Sequence, residues 1–265
     1  MTWTFKPKGK IPSIRSCILI EGLPGIGNIG KVAVDFLIDK LQAKRIYSIS
    51  SYTLPHSVFV NEDNLIEMPT IELFYKKGTK TRPDIIFLTG DVQPTDEYSC
   101  YEFCEKLLDI CKRLKVKEII TIGGIGQQEV PKSPKVYCTG NQKAIVARYC
   151  KGTSLSNDIY GVVGPIVGVS GLLLGLSKPR KIPAVSLLAE TLGHPLYLGM
   201  KGAREVLKAL NKKLALKIDI KELDKEIKSL ESEMLQKTKE LNQVSKETAL
   251  KKIEGKFGKE MTYIG

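Results

Sequence analysis

The sequence predicts an α/β fold, a mostly parallel sheet flanked by helices, with a C-terminal helical, coiled-coil-like extension. Three observations predict it. Short apolar runs alternate with helix-periodic segments over the first 214 residues. Several runs end in glycine-rich or polar turns, which gather at the carboxyl edge of an open parallel sheet, where ligands usually sit. The tail then changes to a seven-residue apolar repeat. Residues 1–214 are accordingly read as an α/β core, 215–254 as an amphipathic helix and 255–265 as a flexible peptide.

The elements follow in order. SCILI (16–20) is a buried strand, a glycine turn follows, and 31–41 places Val32, Phe36 and Leu37 on one helical face. Residues 45–51 are rich in β-formers and complete a β–α–β unit. Residues 57–60, 64–69 and 70–76 alternate as strands do, and are read as a meander inserted after the second strand. PDIIFLTGD (83–91) is a buried strand, 96–114 a helix, and KEIITIGGIG (117–126) a strand ending in a glycine turn. Residues 136–138 and 145–149 are ambiguous. IPAVSLLAET (182–191) is another buried strand and 202–214 a helix. Residues 1–10 are polar and basic, with neither a strand nor a leader assigned there.

Composition narrows the function. A chain of 265 residues, 42% hydrophobic and 26% charged, suits one sizeable core with an appendage. The uncharged segment 159–176 is only just long enough to span a bilayer and is broken by five glycines and a proline. It is read as a buried strand–loop–helix passage, so no membrane partner is expected. Six cysteines never form C-x-x-C, and His56 and His194 are the only histidines, so no metal site is expected. Cys100, Cys104 and Cys111 share a helical face as small core hydrophobes. Free thiols favour the cytosol as the expected compartment. The net charge of +12 is scattered among 6–10, 76–82, 112–117 and 178–181, without a recognition motif, so no specific nucleic acid is expected. A basic surface equally meets an acidic protein partner.

GLPGIGNIGKV (22–32) can be parsed two ways. Gly25, Gly27 and Gly30 spell the dinucleotide turn G-x-G-x-x-G, while Gly25, Gly30 and Lys31 spell a P-loop lacking its hydroxyl residue, because Val32 stands there. Asp91 is the nearest metal-binding acid, and the second strand ends in serines where a dinucleotide site needs an acid. Gly25, Gly27 and Gly30 are therefore read as a structural turn, with no cofactor. A nucleotide- or nucleoside-binding enzyme using residues 25–31 is the alternative. Catalytic signals are thin. Ser170 is not in G-x-S-x-G; His194 and His56 read more readily as turn histidines than as bases, and Glu190 and Asp158 are ambiguous between site acids and turn caps, so no catalytic residue is assigned.

In the tail, Ile220, Ile227, Met234, Leu241 and Thr248 alternate with Leu223, Leu230, Lys237, Val244 and Lys251 as an a/d seam. Ile220, Leu223, Ile227, Leu230 and Met234 are the candidate oligomerisation residues; the alternative is packing on the chain's own core. The final residues carry Phe257, Met261, Tyr263 and Ile264.

Together LIEGLPGIGNIGKVAVDFLI, DIIFLTGDVQP, IITIGGIG, GVVGPIVGVSGLLLGL and PAVSLLAET, in this order over about residues 14–212, resemble the archaeal branch of the proteasome assembly chaperone 2 family. The resemblance implies a purine nucleoside phosphorylase-like fold without an established catalytic site. It also implies homo-oligomers and ATP-independent assembly or engagement of the 20S proteasome core. Some family members end in a hydrophobic–Tyr–any-residue motif that inserts between proteasome α subunits. Here Tyr263 precedes Ile264 and Gly265, so the tyrosine stands one residue short of the penultimate position. Tyr263, Ile264 and Gly265 are the candidate partner-binding residues, either as a shifted docking motif or in a paralogue that does not dock this way.

Overall fold

The computed structural model describes residues 3–159, 161, 164–194, 197–221 and 224–225. Its centre is four parallel strands in the order β7 (Asp84–Gly90), β2 (Cys17–Glu21), β8 (Val116–Gln127) and β10 (Ala184–Leu192). Each is an apolar run buried on both faces, as a parallel strand covered by helices must be. Antiparallel strands extend the sheet at both sides. β6 (Ile71–Lys76), β3 (Lys44–Ser51) and β1 (Trp3–Pro7) continue beyond β7, and β9 (Val136–Gly140) lies beyond β10. The sheet is therefore mixed, parallel in its middle and antiparallel toward its edges. The β6–β7 link is too short for a crossover, and its turn is tied by Gly78 N–H donating to Asp84 Oδ1 at 2.7 Å and Thr79 N–H to Arg82 O at 2.8 Å.

Helices cover both faces. α2 (Glu97–Arg113) and α4 (Val169–Ser177) pack together over a core that includes Leu19, Ile86, Leu88, Phe103 and Leu107. α1 (Ile29–Leu41) and α5 (Met200–Leu214) pack together on the other face, against β7, β8 and β10. The start of α2 is fixed by Asp96, whose Oδ1 accepts the Ser99 N–H at 2.8 Å. α3 (Lys143–Cys150) resolves one ambiguous segment and β9 the other. Glu118 on β8 receives Arg148 and Tyr149 of α3, tying that helix to the sheet.

Three readings need correction. The meander is split: β4 (Phe59–Val60) and β5 (Ile66–Glu67) form a separate two-stranded sheet, while β6 joins the main one. Residues 123–126 are not a turn; β8 runs through them to Gln127, paired with β10 from Leu188↔Gly123 to Leu192↔Gln127. In residues 159–176 the described part is irregular up to α4, without a strand. No described helix is long and apolar enough to cross a membrane.

The N-terminal strand has no local sequence signal. It is held by tertiary contacts: the Trp3 indole lies 4.8 Å from the Phe103 ring, its N–H donates to Ser99 O at 3.1 Å, and Lys106 Nζ donates to Trp3 O at 2.7 Å. Five of the six thiols are buried, Cys150 being half-buried, and burial pushes Cys17 up to about 12. Trp3→Ala should lower unfolding free energy by about 3 kcal/mol, read by urea denaturation; an unchanged midpoint would remove β1 from the cooperative fold.

Candidate functional site

The site lies at the carboxyl ends of β2 and β8. There the connection after β2 leaves toward α1 on one face, while that after β7 leaves toward α2 on the other, the arrangement that opens a crevice in α/β sheets. A cleft of about 740 Å³ opens there, bordered by the glycine turn, the β7–α2 loop, the end of β8 and the segment leading into α4. Its size is that of a small-molecule pocket. Leu23, Ile26, Ile122, Ile125 and Leu172 make the walls apolar, and Gln93, Asp96, Tyr101 and Ser170 supply polar groups. No Lys, Arg or His occurs among its described lining residues, an unfavourable setting for a phosphate.

The glycine turn is filled by its neighbours. A Cβ on Gly30 would lie 2.6 Å from Ile122 O, and one on Gly22 2.2 Å from Gly30 O. Gly27 has φ +63° and a Cβ there would stand 2.6 Å from Thr191 Oγ1. On the facing strand, a Cβ on Gly124 would meet Ile26 O at 2.1 Å. The glycines of β8 thus accept the turn directly onto the sheet. Gly25 alone in the motif faces open space.

Lys31 serves another contact. Its Nζ sits 3.0 Å from Asp35 Oδ2 and 3.6 Å from Asp91 Oδ1, and it does not line the cleft. Thr89 Oγ1 donates to Asp35 Oδ1 at 2.6 Å, and Asp91 Oδ2 accepts from the N–H and hydroxyl of Thr70 at 3.0 and 2.9 Å. Glu190 accepts the Lys135 N–H at 2.9 Å and the Tyr137 hydroxyl at 3.2 Å, so it holds the start of β9. His56, His194 and Asp158 are not among the cleft-lining residues. No group of three His, Cys, Asp or Glu fit for a metal occurs among the described residues. Ile220 ends the described core; Leu223, Ile227, Leu230, Met234, Tyr263, Ile264 and Gly265 lie outside the described residues.

Glu21 and Gln93 were not singled out by sequence. Glu21 ends β2 and is fully buried; its Oε1 accepts the Leu23 N–H at 2.9 Å and its Oε2 the Ser170 hydroxyl at 2.8 Å. Burial raises its pKa from 4.5 to about 7, and the two hydrogen bonds only partly oppose this. Gln93 Nε2 donates to Pro24 O at 2.7 Å, pinning the β7–α2 loop to the glycine turn. The available signal was a lone charge closing an apolar run, in LIEG. Ser170, whose hydroxyl donates a hydrogen bond to Glu21, is the point where this buried carboxyl reaches the cleft wall.

Two predictions follow from this geometry. Gly30→Ala should cost more than about 2 kcal/mol, since the added methyl overpacks fixed backbone, whereas Gly25→Ala should stay within about 0.5 kcal/mol; paired thermal melts compare them. Because the Glu21 pKa is higher folded than unfolded, the native state holds the extra proton between about 4.5 and 7. Its contribution is favourable at low pH and is lost as pH rises through that window. Glu21→Gln should therefore flatten the stability–pH curve there by on the order of 3 kcal/mol, measured by denaturation across that range.

A family model, the PAC2 family, matches residues 19–237. The solved structure of PbaB, an archaeal proteasome activator from Pyrococcus furiosus, is 35% identical and superposes with a TM-score of 0.80, covering 90% of this chain and 99% of that one. PbaA of the same organism, an archaeal homolog of proteasome-assembly chaperone, shares the fold at 22% identity with a TM-score of 0.73, covering 98% and 100% of the two chains. The uncharacterized protein MJ1210 of Methanocaldococcus jannaschii is 29% identical over 257 residues, 96% of this chain and 95% of its own. With a filled glycine turn, a strand-end cleft and a match running through nearly the whole described core, the chain belongs to the PAC2 family.

Proposed function

We propose that this protein is a non-enzymatic, homo-oligomeric chaperone or adaptor that assists assembly of the 20S proteasome, or engages it, without ATP and in the cytoplasm. The observation that carries this reading is the 35% identity, over nearly the full length of both chains, to a protein described as a proteasome activator. The site geometry supports it. Gly27 and Gly30 are occupied by packing and Lys31 by two carboxylates, which favours a structural turn at Gly25, Gly27 and Gly30 over a nucleotide cradle. The α/β body, with the nucleoside phosphorylase-like architecture that the resemblance implies, is a rigid platform in this reading.

The work falls to surfaces. The heptad segment from Ile220 through Met234 joins protomers, and the terminal peptide carries Tyr263, Ile264 and Gly265 toward proteasome α subunits. An aromatic anchor with an apolar neighbour suits such a contact, because few residues dominate an interface.

The test is retention of the purified chain on 20S particles and on isolated α subunits without nucleotide, beside a chain lacking residues 263–265. The intact chain should be retained, and the shortened one should bind at least about tenfold more weakly, as for loss of an anchor residue. Equal retention of both removes the role of the tail. No retention of either, with micromolar ATP, NAD or nucleoside binding abolished by Lys31→Ala, favours the enzyme alternative.

A further inference from the structure

Two glycines keep the strand-end cleft open without serving the fold. A Cβ on Gly25 or on Gly164 would meet nothing within 4 Å, and both residues line the cleft. Gly25 lies at φ −161°, extended backbone that any residue adopts, and Gly164 has no positive φ. Gly27, Gly30 and Gly124 differ, because close neighbours use their missing side chains. At 25 and 164 the bare backbone instead borders about 740 Å³ of open volume, and a ligand can approach it closely.

The polar groups identify the chemistry of that ligand. Ser170 turns its hydroxyl proton inward to Glu21, and Gln93 Nε2 donates to Pro24 O. What these side chains retain for the cleft is chiefly oxygen lone pairs. Asp96 and Glu97 stand exposed at the rim. Asp96 Oδ1 caps α2, yet neither carboxylate has a Lys or Arg partner among the described residues. Glu72, Glu105 and Glu118, by contrast, each meet an arginine. The starts of α1, α2 and α4 also border the cleft, and each counts as about half a positive charge against a full negative charge on each carboxylate. The balance at the cleft is therefore negative, over apolar walls.

We infer that the cleft binds a small apolar molecule bearing a protonated amine, with its hydrocarbon part on Leu23, Ile122, Ile125 and Leu172 and its ammonium toward Asp96 and Glu97. The site uses none of the residues assigned above to oligomer or proteasome contacts.

Isothermal titration calorimetry of the full chain at neutral pH tests it with phenylbutylamine, phenylbutyrate and phenylbutanol, which share one hydrocarbon skeleton. The amine should bind saturably and at least about tenfold more tightly than the acid. Asp96→Asn with Glu97→Gln, which keeps a cap on α2, should bring the amine down to the level of the alcohol. Gly25→Leu should fill the cleft and abolish binding of the amine, with an unchanged unfolding midpoint. If Gly25→Leu loses stability, the exposed rim pair decides the matter. An amine without saturable binding at millimolar concentration, an acid that binds as tightly, or an amine indifferent to the rim pair overturns the site. So does a stably folded Gly25→Leu that still binds the amine.

Discussion

The fold depends on one contact too close for any side chain. After β2 the backbone turns through Gly22–Gly30 and lies directly on β8 and β10, where added methyls would stand 2.1–2.6 Å from Ile122 O, Ile26 O, Gly30 O or Thr191. Such distances are accessible only to glycine, so the turn sets the depth of α1 against the sheet. The same glycines that resemble a nucleotide motif are consumed by packing. The ligand-like spacing and the structural use draw on one property, the absence of Cβ.

Around that contact the electrostatics are arranged inward. Glu21 closes β2 without a cation beside it; backbone and hydroxyl hydrogen bonds hold it, and its proton affinity rises with burial. The motif lysine is instead drawn to Asp35 and Asp91 at the flank of α1. The cleft keeps apolar walls and no described basic side chain, a surface better suited to apolar or peptide-like contact than to phosphate.

The outer surface is divided in the opposite sense. Residues 57–68 carry Glu62, Asp63 and Glu67 and no Lys or Arg, with Val60, Leu65, Ile66 and Met68 exposed, within a basic chain.

The sequence by itself determined what local periodicity encodes. The runs at 16–20, 83–91 and 182–191 became β2, β7 and β10, and the helical pattern at 96–114 became α2, because apolar spacing and an Asp cap act within a few residues. Tertiary structure decided the rest. β1 exists because Trp3 meets Phe103 and Ser99, a hundred residues away. Residues 123–126 remained strand because β10 pairs with them and the glycine turn needs their bare backbone. The character of Glu21 and the engagement of Lys31 were likewise fixed by groups distant in sequence. Burial and partner choice are properties of the whole packed chain, and no window of a few residues contains them.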